Sequence, residues 1–72
     1  MKTTYKYIWF LSTGKQRWDC LNRKHGEKLG DVNYNGRWRQ YVYSPVNQAI
    51  YSAGCMRDVA EFLDACQLAE KE

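Results

Sequence analysis

Charged, polar and aromatic side chains alternate along residues 36–45, and this alternation constrains the fold more than any other feature of the chain. In an extended strand successive side chains point to opposite faces. Trp38 then lies on one face of the segment. The other face carries Arg37, Arg39, Tyr41 and Tyr43. If the face of Trp38 belongs to the core, the opposite face displays cations beside aromatic rings.

Three further segments have a strand pattern, and turn signals separate the segments. The predicted strands cover residues 4–12, 16–22, 27–34 and 37–43, and residues 47–51 can add a fifth strand at an edge. Asn35-Gly36 is typical of a two-residue hairpin turn, because both residues tolerate positive φ. Leu29 and Val32 are three residues apart, so a regular strand would place them on opposite faces. Gly30 between them predicts a β-bulge.

The period changes to a helical one after Ser52, which is a suitable N-cap. An apolar stripe at helical spacing consists of Cys55, Val59, Phe62, Leu63 and Cys66. We therefore predict a single α+β domain over residues 1–72, with a four- or five-stranded antiparallel sheet and one C-terminal helix packed on one face. The helix is expected to end near Leu68 and the last three residues to fray. The preferred helix-covered face bears Trp9, Trp18 and Trp38, although the pattern leaves the choice of face open.

The net charge of +3 is unevenly distributed along the chain. Residues 1–51 contain nine Lys and Arg against three Asp and Glu, whereas residues 52–72 contain two against five. A basic sheet portion followed by an acidic helix can steer an anionic partner toward one side of the molecule. Without a signal-peptide pattern or a long apolar run, the chain is expected to be cytoplasmic, with no role at a membrane.

The residues that most often carry enzymatic chemistry are few and scattered. Cys55 and Cys66 are about 16 Å apart along the predicted helix, too far to share a metal ion or a disulfide. His25 lies in a predicted turn without a nucleophile or an orienting acid in a known pattern. We therefore predict no catalytic residues, no metal site and no cofactor, and we expect a protein that is not an enzyme.

A binding surface is the remaining candidate. The face opposite the predicted core is expected to carry Arg17, Arg37, Arg39, Tyr41 and Tyr43 as the partner-binding residues, together with Lys6, Ile8, Phe10, Leu21 and Arg23. Tyr and Arg dominate protein interfaces, so a protein partner is the first expectation. Rings can also stack on bases while arginines meet phosphates, so nucleic acid is the alternative. A homodimer is a third arrangement that the pattern permits.

Four short motifs resemble a group of small uncharacterised proteins encoded by phages and prophages. They are LGxV at residues 29–32, WRQYVYxP at 38–45, IYSxxC at 50–55 and FL at 62–63. The resemblance spans about residues 18–63 and implies a protein that acts inside a bacterial host cell, where small phage proteins commonly bind and inhibit host proteins. The chain also resembles, less closely, the amino-terminal DNA-binding domains of integrases, which implies DNA binding by the sheet.

Overall fold

The computed structural model describes residues 1–71 and confirms the predicted fold class. The elements are β1 (Ile8–Gly14), β2 (Arg17–Asn22), β3 (Lys28–Asn35), β4 (Gln40–Pro45) and the helix α1 (Ala53–Lys71). The sheet has the order β1-β2-β3-β4, and each strand is antiparallel to its neighbours. Within the described chain, residues 47–51 add no fifth strand.

The start of β1 decides which face of that strand is buried. Residues 3 and 4 fold back beside β1, because the Tyr5 N–H donates to the Ile8 carbonyl at 2.8 Å and the Phe10 N–H donates to the Thr3 carbonyl at 2.8 Å. The strand therefore begins at Ile8 and not at Thr4. Ile8 and Phe10 are fully buried under α1, whereas the neighbouring Trp9 is only half-buried. The prediction that Trp9 faces the helix is wrong. Apolar residues occupy both alternating positions of β1, so the sequence pattern did not distinguish the buried face from the exposed one.

The core centres on one phenylalanine of the helix. Phe62 stacks on Phe10 with ring centroids 3.8 Å apart. It packs edge-to-face against Trp18, with ring centroids 5.1 Å apart. The buried residues are Tyr5, Ile8, Phe10, Cys20, Leu29, Val32, Val59, Phe62 and Cys66. The predicted stripe of α1 thus supplies three core residues, and of the two tryptophans on β1 and β2 only Trp18 packs against this cluster.

A bulge in β3 confirms the prediction made from Gly30. The register between β2 and β3 shifts after the pair Cys20 and Gly30, so that Leu21 pairs with Lys28 and Leu29 is the extra residue. The bulge turns both Leu29 and Val32 into the core. It also brings Gly30 beneath the ring of a β4 tyrosine.

That tyrosine, Tyr43, belongs to a hydrogen-bond chain that fixes the end of the sheet. The Tyr51 hydroxyl donates to the Leu29 carbonyl at 2.5 Å, and the Tyr43 and Tyr51 hydroxyl oxygens are 2.9 Å apart. Because a hydroxyl has one proton, Tyr43 must donate to Tyr51. Burial, reinforced by Tyr51 and Cys20, raises the pKa of Tyr43 far above its ordinary range. Tyr43 therefore stays protonated and holds the loop before α1 against the bulge.

Of the two ends of α1, only the C-terminal end differs from its prediction. Ser52 caps the helix as predicted, because its Oγ accepts the Cys55 N–H at 3.1 Å. At the other end α1 continues through Lys71 rather than stopping near Leu68, and Glu70 accepts hydrogen bonds from Gln16 at 2.6 Å and Tyr41 at 3.1 Å. The predicted fraying of this tail is wrong at Glu70, and residue 72 lies outside the described residues. Within residues 1–71, no helix combines the length and the apolar character that crossing a membrane requires.

The sheet face turned away from α1, here called the open face, carries a charged cluster at its centre. Asp19 and Asp31 lie directly opposite each other on β2 and β3. The Lys28 ammonium bridges them, 3.3 Å from the Asp19 carboxylate and 2.7 Å from the Asp31 carboxylate. Like charges directly opposite on neighbouring strands are destabilising, so Lys28 neutralises a repulsive pair.

Replacing Lys28 by methionine is expected to destabilise the protein at neutral pH and to do so less in acid. Hydrogen bonding to Lys28 holds the pKa of Asp31 below its ordinary value of 3.8. A lowered folded-state pKa stabilises the protein above the unfolded-state pKa, and the contribution is lost as the pH falls through the folded-state value. The gap in urea midpoint between wild type and Lys28→Met should therefore narrow between neutral pH and roughly pH 2. A gap that stays constant over this range would contradict the bridging role.

Candidate binding surfaces

The loop between β3 and β4 is longer than the predicted two-residue turn. Asn35 pairs with Gln40, so the loop consists of residues 36–39. The Asn35 Oδ1 accepts the N–H groups of Arg37 at 3.0 Å and Trp38 at 3.1 Å, and Arg39 has a φ of 56°. Asn35 thus acts as an Asx cap, a role that its side chain favours.

This loop is here called the hairpin tip (residues 36–39). Residues 37–39 were predicted to lie on a strand, and they lie in a turn instead. Trp38 is 67% exposed and not part of the core, which corrects the prediction. Arg37 and Arg39 flank it in the same turn and are exposed. The tip therefore carries one exposed indole ring and two exposed arginines, on a loop whose backbone N–H groups bond to the Asn35 side chain.

Because Trp38 lies in the loop, it does not mark the core face of β4, and the facing predicted for the β4 tyrosines changes with it. Tyr41 pairs with Tyr34 and Tyr43 pairs with Val32, so both tyrosines lie on the helix side of the sheet. The prediction that they lie on the open face is wrong. Residues 36–39 lie in the tip and not in the strand. Arg37 and Arg39 are therefore not on the same strand face as Tyr41 and Tyr43.

Tyr41 is held between the sheet and the end of α1. Its hydroxyl donates to Glu70 at 3.1 Å, and its N–H donates to the Gln67 Oε1 at 3.1 Å. The Gln67 amide in turn donates to the Arg39 carbonyl at 3.1 Å. Burial and then the Glu70 carboxylate raise the pKa of Tyr41 to about 12. Gln67 thereby occupies backbone groups at the outer edge of β4, which protects this edge against pairing with another strand.

Arg17 is the remaining predicted binding residue, and it lies on the open face. It is exposed at the start of β2, opposite Gly14 and Asn33. Arg17 lies at the same end of the sheet as the hairpin tip, because the turn between β1 and β2 and the loop between β3 and β4 are both at that end. Within residues 1–71, no ion pair involves Arg17, Arg37 or Arg39. The structure thus gathers the three arginines at one end of the molecule but not on one strand face.

The open face differs in composition from its prediction. Ile8 and Phe10 are absent from it because they form the core, and Lys6 and Arg23 lie at the end of the sheet. The register places Trp9, Leu11, Arg17, Asp19, Leu21, Asp31, Asn33, Val42 and Ser44 there. This face is mixed in charge, with carboxylates at its centre, and is not the basic aromatic surface that was predicted.

A second cationic surface lies at the opposite end of the sheet. A cavity of about 490 Å³, here called the cationic pocket, is lined by Lys6, Tyr7, Asn22, Arg23, Lys24 and His25. This pocket was not predicted from the sequence, because Lys6 and Tyr7 are distant in sequence from the turn after β2. Three consecutive basic residues followed by Gly26 were the available signal for a cationic loop.

All three cysteines are free thiols in the structure. Cys20 and Cys66 are buried, and burial raises the pKa of each thiol to about 11. Cys55 is half-buried. Among residues 1–71 there is no group of three or more His, Cys, Asp or Glu side chains that could hold a metal ion.

No family model, no curated protein and no solved structure matches this chain.

Proposed function

We propose that this chain is a non-enzymatic binding module that docks on a protein partner through the hairpin tip. The observation that supports the proposal is Trp38, 67% exposed between two exposed arginines on a fixed loop. Trp and Arg are the residue types most enriched among interface hot spots.

The conformation of the tip favours an anchoring role. A side chain on a loop already held by hydrogen bonds loses less freedom on binding than one on a mobile loop. Asn35 fixes the backbone N–H groups of Arg37 and Trp38, so the tip is ordered before a partner arrives. A projecting ring suits insertion into a partner's pocket, and the flanking guanidinium groups suit carboxylates at the rim of that pocket.

The biological setting is part of the proposal. The resemblance to small phage and prophage proteins supports an accessory protein that acts in the cytoplasm of a bacterial host and inhibits a host or phage protein. The predicted anchors Tyr41 and Tyr43 contribute indirectly in this arrangement, because both support the strand that begins at the end of the tip.

Nucleic-acid binding by the sheet is the second candidate. The three arginines without an ion pair in residues 1–71 favour it. The central carboxylates Asp19 and Asp31 of the open face oppose it, because they would face the phosphate backbone of a duplex laid across the sheet. A nucleic-acid complex would weaken steeply with added salt as counterions are released.

A pull-down from bacterial lysate with nuclease tests the first candidate against the second. The triple variant Arg37→Ala, Trp38→Ala, Arg39→Ala should lose a captured protein that mass spectrometry identifies with the wild type. Its fold should be retained, because all three residues are exposed. Arg17→Ala, which removes an arginine outside the tip, is the matched control and should keep the partner.

Two results would refute docking through the tip. One is capture that disappears entirely on nuclease treatment, which would favour nucleic acid. The other is capture that survives the triple variant and fails with Arg17→Ala, which would move the interface to the open face. Sedimentation of the purified chain shows separately whether the partner is a second copy.

A further inference from the structure

The lining of the cationic pocket carries positive charge and no negative charge. Three Lys or Arg side chains and His25 line it, and no carboxylate does. Among residues 1–71, Lys6, Arg23, Lys24 and His25 form no ion pair. A concave site of one sign raises the local concentration of ligands with the opposite charge.

Hydrogen bonds hold the backbone of the loop that carries Arg23, Lys24 and His25. The Asn22 Oδ1 accepts the N–H groups of Lys24 at 2.8 Å and His25 at 3.0 Å. The Arg23 N–H donates to the Tyr7 carbonyl at 2.9 Å, and the Gly26 N–H donates to the Asn22 carbonyl at 2.8 Å. The backbone donors of the loop are thus used internally, and the side chains remain as the donors for a ligand.

Arg23 is positioned for this role by a contact outside the loop. Its Nη1 donates to the Tyr5 carbonyl at 2.8 Å, which ties the guanidinium to the segment before β1. A guanidinium has five N–H donors, so this bond leaves capacity for a ligand. An arginine held in place binds an oxyanion with less loss of side-chain entropy than a free one.

An aromatic ring completes the site. Tyr7 is 51% exposed at the pocket wall, and the Lys6 ammonium lies over one face of its ring, 5.2 Å from the centroid. A base can stack on the face of the ring that Lys6 does not cover, next to a phosphate held by the cations of the pocket.

We propose that the cationic pocket binds a nucleotide, with its phosphate on Lys6, Arg23 and Lys24 and its base against Tyr7. The ligand is a free nucleotide or a nucleotide of a single strand, since both present the same phosphate and base. The site lies at the other end of the sheet from the hairpin tip, so the proposal is independent of docking through the tip.

The test uses the full chain and three probes: inorganic pyrophosphate, a nucleoside triphosphate and a single-stranded DNA of mixed sequence. Amide chemical shifts identify the binding site, and calorimetry gives the affinity. The variant is Lys6→Ala with Lys24→Ala, which spares the structural bond of Arg23. The matched control is Lys15→Ala with Arg37→Ala, which also removes two positive charges but at the other end of the sheet.

The pocket variant should weaken binding of each probe that binds by roughly a hundredfold, because it removes two charge-assisted contacts. The control should stay near the wild-type affinity. Binding of the triphosphate identifies a free nucleotide as a sufficient ligand, whereas binding of the DNA alone identifies a single strand. Both results support the proposal.

The proposal is overturned if no probe binds below about 1 mM at low salt, or if both double variants lose affinity equally. Pyrophosphate binding that matches the triphosphate, with no shift at Tyr7, would overturn the role of the base. The triple variant of the hairpin tip should retain nucleotide binding, so a failure of tip docking is recognised separately.

Discussion

Replacing Phe62 by alanine is expected to lower the free energy of unfolding by about 3–5 kcal/mol, the range for a buried aromatic truncation. Phe62 is fully buried, and its ring contacts Phe10 and Trp18 at once. A chain of 72 residues has a total stability of about 4–11 kcal/mol by the usual value per residue. The loss is thus a large share of the total stability, and the variant should unfold at a clearly lower temperature than the wild type.

Urea denaturation followed by circular dichroism and by tryptophan fluorescence measures this loss. Leu68→Ala is the matched control on the same helix, because Leu68 is 65% exposed. It should change the free energy of unfolding by less than about 0.5 kcal/mol, as surface substitutions usually do. Equal effects of the two substitutions would mean that α1 does not pack on the sheet through Phe62.

Replacing Gly30 by alanine is expected to destabilise the protein by about 2–3 kcal/mol, although it adds a single methyl group. A Cβ there would lie 2.7 Å from the Ser44 carbonyl oxygen and closer still to the hydroxyl of Tyr43. The backbone of β4 cannot retreat without losing its pairing with β3. The Tyr43 ring would have to move, which would break its hydrogen bond to Tyr51.

Gly36→Ala supplies the control for Gly30→Ala. A Cβ on Gly36 meets nothing within 4 Å, and its φ is not positive. The substitution should be neutral or stabilise the protein by about 0.4–1 kcal/mol, because alanine restricts the unfolded chain. Chemical denaturation of both variants decides the matter, and a neutral Gly30→Ala would show that Tyr43 does not pack over the bulge.

Local signals predicted the elements of this fold with few errors. The alternation, the N-cap Ser52 and the out-of-phase pair around Gly30 each depend on residues within a few positions of one another. The four strands, the helix and the bulge followed from them. Asn35 also marked a turn correctly, but it did not reveal the length of that turn, because Asn serves equally as a turn residue and as an Asx cap.

The candidate site was predicted less well, for a reason of phase. Successive side chains of a strand lie on opposite faces, so one residue assigned to the wrong face reverses the assignment of all the others. Trp38 was predicted to mark the core face, but it lies exposed in the four-residue tip, and Tyr41 and Tyr43 lie on the helix side of the sheet. The cationic pocket was missed because it joins the segment before β1 to the turn after β2.

The sequence by itself determined the α+β class, the order of the elements, the helix stripe and the unequal charge of its two portions, since these depend on local period and composition. Only the tertiary structure decided which face of each strand is buried. Apolar residues occupy both alternating positions of β1, so the choice depended on which set packs into the core, where Phe10 stacks on Phe62 and Ile8 is buried. Packing between distant elements therefore selected the core and left Trp38, Arg37 and Arg39 exposed at the surface.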